Sequence, residues 1–200
     1  MELMSLRRTL YRGVFHIVAG SLPAIALLIL PQLWAQIVLT AVTILLLLFE
    51  VARLRLPSLN KWFAAWSAPL LRLEEQHKFT GASYLLVGYL ITVLVFPPDI
   101  AKLAVLFASL GDPAATIIGT WKGNNKMIWG KSVEGTAACL LVCLAMGVTV
   151  TTTLNNPPLL IGTTGAIVAT LFEALPLRLN DNLTISIGSA AVMMLVSVLI

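Results

Sequence analysis

The sequence predicts an all-α integral membrane protein, a multi-pass helical bundle with about seven transmembrane helices. Of its 200 residues, 58% are hydrophobic and 11% are charged, and the mean hydropathy is +0.94. Soluble domains carry roughly 25% charged residues, so this composition excludes an ordinary soluble fold. The apolar residues also occur in long blocks, several of them near the ~20 residues that a helix needs to cross a bilayer.

Seven apolar segments follow one another along the chain. They run over residues 14–30, 33–52, 81–96, 100–119, 133–154, 159–175 and 183–200. Pro31 and the proline pairs at 97–98 and 157–158 fall between segments, as expected for residues that end helices. No internal repeat or low-complexity stretch divides the chain, so we expect one membrane-embedded catalytic domain over residues 1–200.

Basic residues are distributed asymmetrically between the connections of this arrangement. With strict alternation, twelve of the thirteen Lys and Arg residues fall on one side of the membrane and only Lys102 falls on the other. Cytoplasmic loops carry an excess of Lys and Arg, so the N-terminus is predicted to be cytoplasmic. The net charge of +4 therefore informs topology rather than nucleic-acid binding. The acidic residues divide in the same way, which places the polar chemistry on the cytoplasmic face.

The segment 57–73, PSLNKWFAAWSAPLLRL, is too short and too interrupted to cross the membrane. Trp62, Phe63 and Trp66 cluster at helical spacing, and Lys61 and Arg72 flank them. This pattern predicts an interfacial helix on the cytoplasmic leaflet. An aromatic belt at the membrane surface explains it equally well.

Asp112 lies in an apolar segment, within the stretch LFASLGDPAATIIGTWKG. An acidic residue inside a span costs roughly 2.5–3.5 kcal/mol on insertion scales, so its carboxylate must face protein, water or a cation. We interpret Asp112 as a functional residue, either a metal ligand or a base toward a hydroxyl. The structural alternative is a carboxylate that pairs with a lysine or caps a helix. Pro113 directly after it predicts an irregular backbone or a new helix start.

The next connection, GTWKGNNKMIWGKSVEGT over 119–136, combines lysines, glycines and asparagines. Lysines suit phosphate oxygens as point charges, and glycines let backbone N–H groups approach a phosphate closely. Ser132 can cap the helix that begins near Val133, and a helix N-terminus is itself an anion site. The tripeptide at 130–132 is not a P-loop, because Asn125 stands where that motif requires glycine. Taken alone, the connection is also explained as a positive-inside anchor.

A third polar cluster, FEALPLRLNDNLTI over 172–185, supplies Glu173, Asp181 and Asn182 as oxygen ligands. Mg²⁺ is usually held by carboxylates together with nucleotide phosphates, so the cluster indicates a magnesium–nucleotide site. For Asp181 the alternative role is to cap the last helix.

Polar residues also occur at helical spacing around the start of the first apolar segment and the end of the second. Arg8, Arg12 and His16 recur every four residues on the first helix, which forms a stripe suited to an anion. Glu50 and Arg53 are three apart near the end of the second apolar segment, and we expect them to form a structural ion pair.

Together these motifs resemble the polyprenol kinase family. The elements LGDPAATIIGTWKG, GKSVEGTAA and EALPL followed by DNLTI occur in the order and spacing of that family. The upstream stretches RRTLYRGVFHIVAG, EVAR and HKFTGASYLLVGYLI also fit, so the resemblance covers most of the chain. The family includes dolichol kinase, phytol kinase and the CTP-dependent diacylglycerol kinase, and it borders on the phosphatidate cytidylyltransferases.

The resemblance implies an enzyme that uses CTP and Mg²⁺ to phosphorylate a membrane-embedded alcohol: a polyprenol, a phytol-like prenol or diacylglycerol. It implies catalytic roles for Asp112, Lys131 and Glu134, and magnesium ligation by Asp112, Glu173 and Asp181. The nucleotide-binding residues would be Arg12, His16, Gly111, Lys122, Gly123, Lys126, Ser132, Gly135 and Asn182. The segment 80–84 would lie near the same site. The expected partners are CTP and a lipid alcohol, with no nucleic acid.

Two other functions stay open from the sequence. A phosphatidate cytidylyltransferase-like enzyme would also use CTP in the membrane but would transfer the cytidylyl group and release pyrophosphate. A non-catalytic transporter or scaffold of lipid phosphates would need polar groups reaching the external face, where the connections hold only Asp99 and Lys102. A short chain without a soluble domain fits a prokaryotic cell-membrane enzyme whose active site faces the cytoplasm.

Overall fold

The computed structural model describes residues 2–127, 129–176 and 180–200. Within these residues the helices are α1 Glu2–Ile29, α2 Gln32–Arg55, α3 Pro57–Trp66, α4 Gly81–Val95, α5 Pro98–Leu106, α6 Asp112–Lys122, α7 Val133–Leu154, α8 Leu159–Ala174 and α9 Asp181–Leu199. The same residues contain no β-strand, only an isolated bridge between Lys126 and Ser132. Arg178 and the side chains of Arg7 and Arg8, which the charge analysis counted, lie outside the described part.

Among the described residues, five stretches are long and apolar enough to cross a membrane. They are Thr9–Ile29, Gln32–Arg55, Pro98–Lys122, Val133–Leu154 and Asp181–Leu199. The remaining apolar helices, α4 and α8, have 15 and 16 residues, fewer than the ~20 that usually span a bilayer. The predicted helical membrane bundle is therefore confirmed, and the count of seven crossings stays a prediction.

The connections between helices gather at two opposite ends of the bundle. Gln36, at the start of α2, donates a side-chain hydrogen bond to the Val93 carbonyl near the end of α4, at 3.2 Å. The Asn156 amide, between α7 and α8, hydrogen-bonds to Asp99 at the start of α5. At the other end, the connections that precede α4, α7 and α9 contact one another. This second end carries the site described below.

Small residues allow α7 to pack closely against both of its neighbours. A Cβ atom at Gly135 would lie 2.7 Å from the Ala115 carbonyl oxygen of α6, and one at Gly147 would lie 2.9 Å from the Gly162 carbonyl oxygen of α8. Backbones approach this closely only where the side chain is a hydrogen atom. The first contact fixes α6 against the start of α7, and the second fixes the start of α8 against the second half of α7.

A π-helical turn, Phe107–Gly111, joins α5 to α6 without breaking the helix and ends directly before Asp112. Pro113 explains it, because proline has no N–H and its ring crowds the carbonyl of the residue four positions earlier, Ser109. The wider turn accommodates both effects, and such turns are frequent at functional sites. The irregular backbone predicted around Pro113 is thus present.

The helix α3 has ten residues and ends at Trp66, so it is shorter than the predicted interfacial segment 57–73. It follows α2 directly, and Arg53 of α2, which forms a buried ion pair within that helix, ties the two helices together. The Arg53 guanidinium lies 2.7 Å from the Glu50 carboxylate and also donates to the Asn60 side chain and to backbone carbonyls of Glu75 and Lys78. The expected structural pair is therefore present, and it holds the connection between α3 and α4.

Candidate active site

A cleft of about 900 Å³ opens at the end of the bundle where the connections before α4, α7 and α9 meet. One part of its wall is polar and comes from α1, α6 and the starts of α4, α7 and α9. The other part is apolar and comes from α1, α2 and α3. A cavity of this size with convergent polar groups is the usual form of a small-molecule site.

The N-termini of three helices, α4, α7 and α9, contribute residues to the polar wall. Ser132 caps α7 by accepting from the Gly135 backbone N–H at 3.1 Å, and Asn180 caps α9 by accepting from the Asn182 N–H at 3.1 Å. The Gly81 N–H at the start of α4 donates to Glu75 at 2.9 Å. Each N-terminus carries a partial positive charge, so three of them beside one cleft favour an anion there.

Lys131 links the connection before α7 to both carboxylates of the third motif. Its ammonium lies 2.9 Å from Asp181 and 3.2 Å from Glu173, and it also donates to the Glu173 backbone carbonyl. Partial burial of Lys131 acts to lower its pKa, but the hydrogen bond to Asp181 and the charges of both carboxylates outweigh burial and raise that pKa above its ordinary value. Lys131 therefore carries a positive charge in the cleft at neutral pH.

Asp112 enters the cleft from the start of α6 and meets α1. The Nδ1 atom of His16 lies 3.5 Å from one Asp112 carboxylate oxygen, and the other ring nitrogen, Nε2, is buried without a hydrogen-bond partner. Arg12, one helical turn earlier on α1, lines the same cleft. Two residues of the stripe predicted on the first helix, Arg12 and His16, thus line the cleft together with the predicted carboxylate.

Most of the residues predicted from the sequence line this one cleft: Arg12, His16, Asp112, Lys126, Lys131, Ser132, Gly135, Glu173, Asp181 and Asn182. Gly81 and Ala82, from the predicted segment 80–84, line it with them, and the Asn182 amide donates to the Gly81 carbonyl at 2.9 Å. These side chains come from connections more than one hundred residues apart in the chain.

Four predicted residues lie outside the cleft lining: Gly111, Lys122, Gly123 and Glu134. Gly111 packs against α7, where an added Cβ would lie 2.6 Å from the Cys143 sulfur. The Lys122 ammonium lies 4.7 Å from the centre of the Trp121 ring, and Glu134 accepts from the Asn125 side chain at 2.8 Å. Glu134 thus supports the connection before α7 from its outer side.

Thr136, Glu75 and Arg72 line the cleft, although the motif analysis did not select them as site residues. The Thr136 hydroxyl is buried without a hydrogen-bond partner. The sequence could have indicated Thr136, because it lies one helical turn after the Ser132 cap and on the same face of α7. Glu75 and Arg72 belong to a connection whose path depends on the buried Arg53, so spacing alone did not indicate them.

The acidic residues of the cleft include the three that the family resemblance implies as Mg²⁺ ligands. In the part of the chain that the structure describes, no three His, Cys, Asp or Glu side chains lie close enough together to hold a metal ion unaided. However, Glu173 Oε2 is buried without a hydrogen-bond partner, and Asp112 and Asp181 line the same cleft. Mg²⁺ usually takes one or two carboxylates and fills its remaining positions with phosphate oxygens and water. The donor set therefore fits an ion that arrives with a nucleotide.

Comparisons with known proteins agree with part of this picture. No protein-family model matches the chain, and no solved structure is a significant match. An uncharacterised protein of Rickettsia prowazekii is 26% identical over 183 residues, covering 88% of this chain and 89% of that protein. An uncharacterised protein of Methanocaldococcus jannaschii is 33% identical over 134 residues, covering 64% of this chain and 65% of its own.

One relative carries an activity in its name. The CTP-dependent diacylglycerol kinase 1 of Schizosaccharomyces pombe is 31% identical over 88 residues, which cover 43% of this chain and 40% of the kinase. The chain thus matches less than half of the length of that kinase. CTP-dependent diacylglycerol kinases are among the enzymes that the sequence motifs resemble, so this partial similarity agrees with the resemblance.

Proposed function

We propose that the protein is a CTP-dependent lipid-alcohol kinase, which transfers the γ-phosphate of CTP to the hydroxyl of a membrane-embedded alcohol and releases CDP. The observation that carries this proposal is the cleft itself. Three helix N-termini and the Lys131 ammonium face one part of it, and apolar side chains form the rest. A kinase for lipid alcohols needs this combination of an anion site and an apolar site at one reaction centre. The partial similarity to a CTP-dependent diacylglycerol kinase supports the choice of nucleotide and of acceptor class.

The nucleotide phosphates occupy the polar part of the cleft in this proposal. The partial positive charges at the starts of α4, α7 and α9 and the full charges of Lys126, Lys131 and Arg12 attract the phosphate oxygens. Lys131 exchanges one of its carboxylate partners for a phosphate when the nucleotide binds. Asp112, Glu173 and Asp181 would hold Mg²⁺, which neutralises charge on the β- and γ-phosphates when it is bound.

The transfer step takes place beside Asp112. The hydroxyl oxygen of the alcohol bonds to the γ-phosphorus while the bond between that phosphorus and the β–γ bridging oxygen breaks. Asp112 accepts the hydroxyl proton, and His16, 3.5 Å away, orients the carboxylate. Positive charge from Lys131 stabilises the charge that develops on the transferring group.

We also propose seven crossings with a cytoplasmic N-terminus, so that the cleft opens on the cytoplasmic face of a prokaryotic cell membrane. The two-ended arrangement of the connections supports strict alternation, because Asp99, Lys102 and Asn156 all lie at the end away from the cleft. The excess of Lys and Arg then assigns the cleft end to the cytoplasm.

Purified protein in detergent tests the activity when it is given γ-labelled CTP, ATP, GTP or UTP together with prenols or diacylglycerol. We expect labelled lipid with CTP and at least one alcohol. Absence of labelled lipid with every nucleotide and every alcohol contradicts the proposal.

A further inference from the structure

The apolar part of the cleft lies between α1 and α2, and a nucleotide does not need it. Phe15 and Ala19 of α1 and Leu46 and Phe49 of α2 all line the cleft. His16 adjoins Phe15 on α1 and reaches Asp112, so this apolar surface leads directly to the proposed reaction centre.

The packing of α1 and α2 leaves an opening between them at the cleft end. Only residues 30 and 31 connect the two helices, so they are held together at the opposite end of the bundle. Along its length α1 packs mainly against α6, the π-helical turn and α5, whereas α2 packs mainly against α4 and α3, so the two helices make little contact with each other. Val14 on α1 and Leu45 on α2 are 55% and 65% exposed, so apolar side chains lie on the outer surfaces of the two helices that flank the cleft.

The helix α3 covers this opening at the end of α2. The Phe63 ring lies edge-on to Phe49 with 5.4 Å between centroids, and the Arg53 guanidinium lies 5.0 Å from the centre of the Phe63 ring. Trp62 and Trp66 stack at 6.5 Å on the exposed side of α3, as aromatic residues do at the level of lipid headgroups. No described residue of α3 is buried, so the bundle alone does not account for its apolar side chains.

We propose that the gap between α1 and α2 is the groove that holds the hydrocarbon chain of the acceptor alcohol, and that the chain reaches it sideways from the bilayer. The inference rests on the proposed function for the hydroxyl at Asp112. The chain lies between Ala19 and Leu46, its hydroxyl end points toward Asp112, and α3 closes the groove on the aqueous side. A lipid chain is the expected occupant, because the groove is continuous with the proposed reaction centre and its rims carry exposed apolar side chains on two helices long and apolar enough to cross a membrane.

The groove can be tested without measuring turnover. Protein in lipid nanodiscs is given a long-chain alcohol with a diazirine in its alkyl chain, and the cross-linked residues are identified by mass spectrometry. We expect cross-links on the facing sides of α1 and α2. Ala19→Trp fills the groove and should lower those cross-links at least tenfold. Ala26→Trp, on the same helix about 10 Å further along and outside the cleft lining, is the matched control.

Leu46→Trp blocks the groove from the side of α2 and gives a second variant if Ala19→Trp does not fold. A turnover assay adds an independent readout. Either blocking variant should lower phosphorylation of a long-chain alcohol at least tenfold and change that of a short water-soluble alcohol less than about twofold.

The outcomes separate the groove from the activity. Cross-links spread evenly over the outer surfaces of all helices, or formed between two copies of the chain, overturn the groove. Equal losses with long and short alcohols also overturn it. Cross-links in the groove without phosphorylation of any alcohol leave the groove as a lipid site and refute the kinase.

Discussion

The Lys131 ammonium lies 2.9 Å from the Asp181 carboxylate, fifty residues further along the chain. This ion pair joins the connection before α7 to the first turn of α9, and Glu173 at the end of α8 completes it at 3.2 Å. The three residues come from two motifs that the sequence analysis treated separately. Their contact is the structural reason for assigning both motifs to one site.

Replacing Lys131 tests that assignment. Lys131→Met removes a charge that the phosphates would need and leaves Glu173 and Asp181 uncompensated. We expect kcat/KM for CTP to fall by about 100-fold or more, the usual cost of losing one group that stabilises developing charge. Because the pKa of Lys131 is raised, its charge should persist through the neutral and alkaline range, and the pH profile below pH 9 should show no loss due to Lys131. Lys61→Met, on exposed α3, is the control, and equal losses in both variants would contradict the assignment.

Asp112→Asn tests the proposed base and metal ligand. The amide keeps the size of the side chain but can neither accept the hydroxyl proton nor ligate a cation as a carboxylate does. We expect turnover to fall at least about 100-fold with little change in thermal stability. The comparable Asp99→Asn, at the opposite end of the bundle, should keep activity within about twofold. Full activity of Asp112→Asn would remove Asp112 from the mechanism.

The buried pair of Arg53 and Glu50 makes a prediction about stability. Arg53→Met leaves the Glu50 charge buried and frees the connection before α4, so the free energy of unfolding should fall by about 3–5 kcal/mol. The pair of Lys102 and Asp99 is partly exposed at 3.4 Å, and Lys102→Met should cost less than about 1 kcal/mol. Unfolding in detergent measures both. Equal costs would show that Arg53 does not hold this connection.

The close packing of α7 against α8 predicts a second difference in stability, between a buried and an exposed substitution on α7. Gly147→Val places a side chain against the Gly162 carbonyl, where even a Cβ would lie at 2.9 Å, and should destabilise the protein by about 1–3 kcal/mol. Ala145→Val introduces the same side chain on the exposed side of α7 and should cost less than about 0.5 kcal/mol. Thermal unfolding of the two variants in the same detergent gives the comparison, and an unchanged Gly147→Val would argue against this close packing.

Cysteine labelling tests the proposed orientation. In a background with Cys139→Ala and Cys143→Ala, Lys61→Cys should resist a membrane-impermeant maleimide in intact cells, and Thr153→Cys should react. Permeabilised cells should label both, which controls for exposure of each thiol. The reverse pattern would place the cleft outside the cell.

The sequence predicts the helices well because hydropathy and proline positions report them directly. Pro31 and Pro158 stand directly before α2 and α8, and α7 spans the predicted residues 133–154. The π-helical turn before Asp112 is harder to place, since Pro113 predicts an irregularity but not its form. The helix α3 ends at Trp66, several residues before the end of the predicted segment 57–73, because the chain turns at Ser67 and helical spacing does not reveal that turn.

The sequence indicates which charged residues belong to the candidate site, but not which neighbouring residues face the cleft. Asp112, Lys131 and Asp181 are charges in apolar or glycine-rich surroundings, so the energetic cost of burying them points to function. Whether a residue beside them faces the cleft depends on how the helices pack. Gly111 precedes Asp112 yet packs against Cys143, and Glu134 lies beside the cap of α7 yet accepts from Asn125.

The most direct test of the proposed kinase activity follows the phosphates of CTP into the lipid. Purified protein in nanodiscs receives a long-chain alcohol and CTP labelled at either the α- or the γ-phosphate, and the lipid products are separated and counted. A phosphotransferase puts the γ-label on the lipid and leaves the α-label in CDP, and this is the predicted result. The α-label on the lipid, with release of pyrophosphate, would identify a cytidylyltransferase and contradict the proposal.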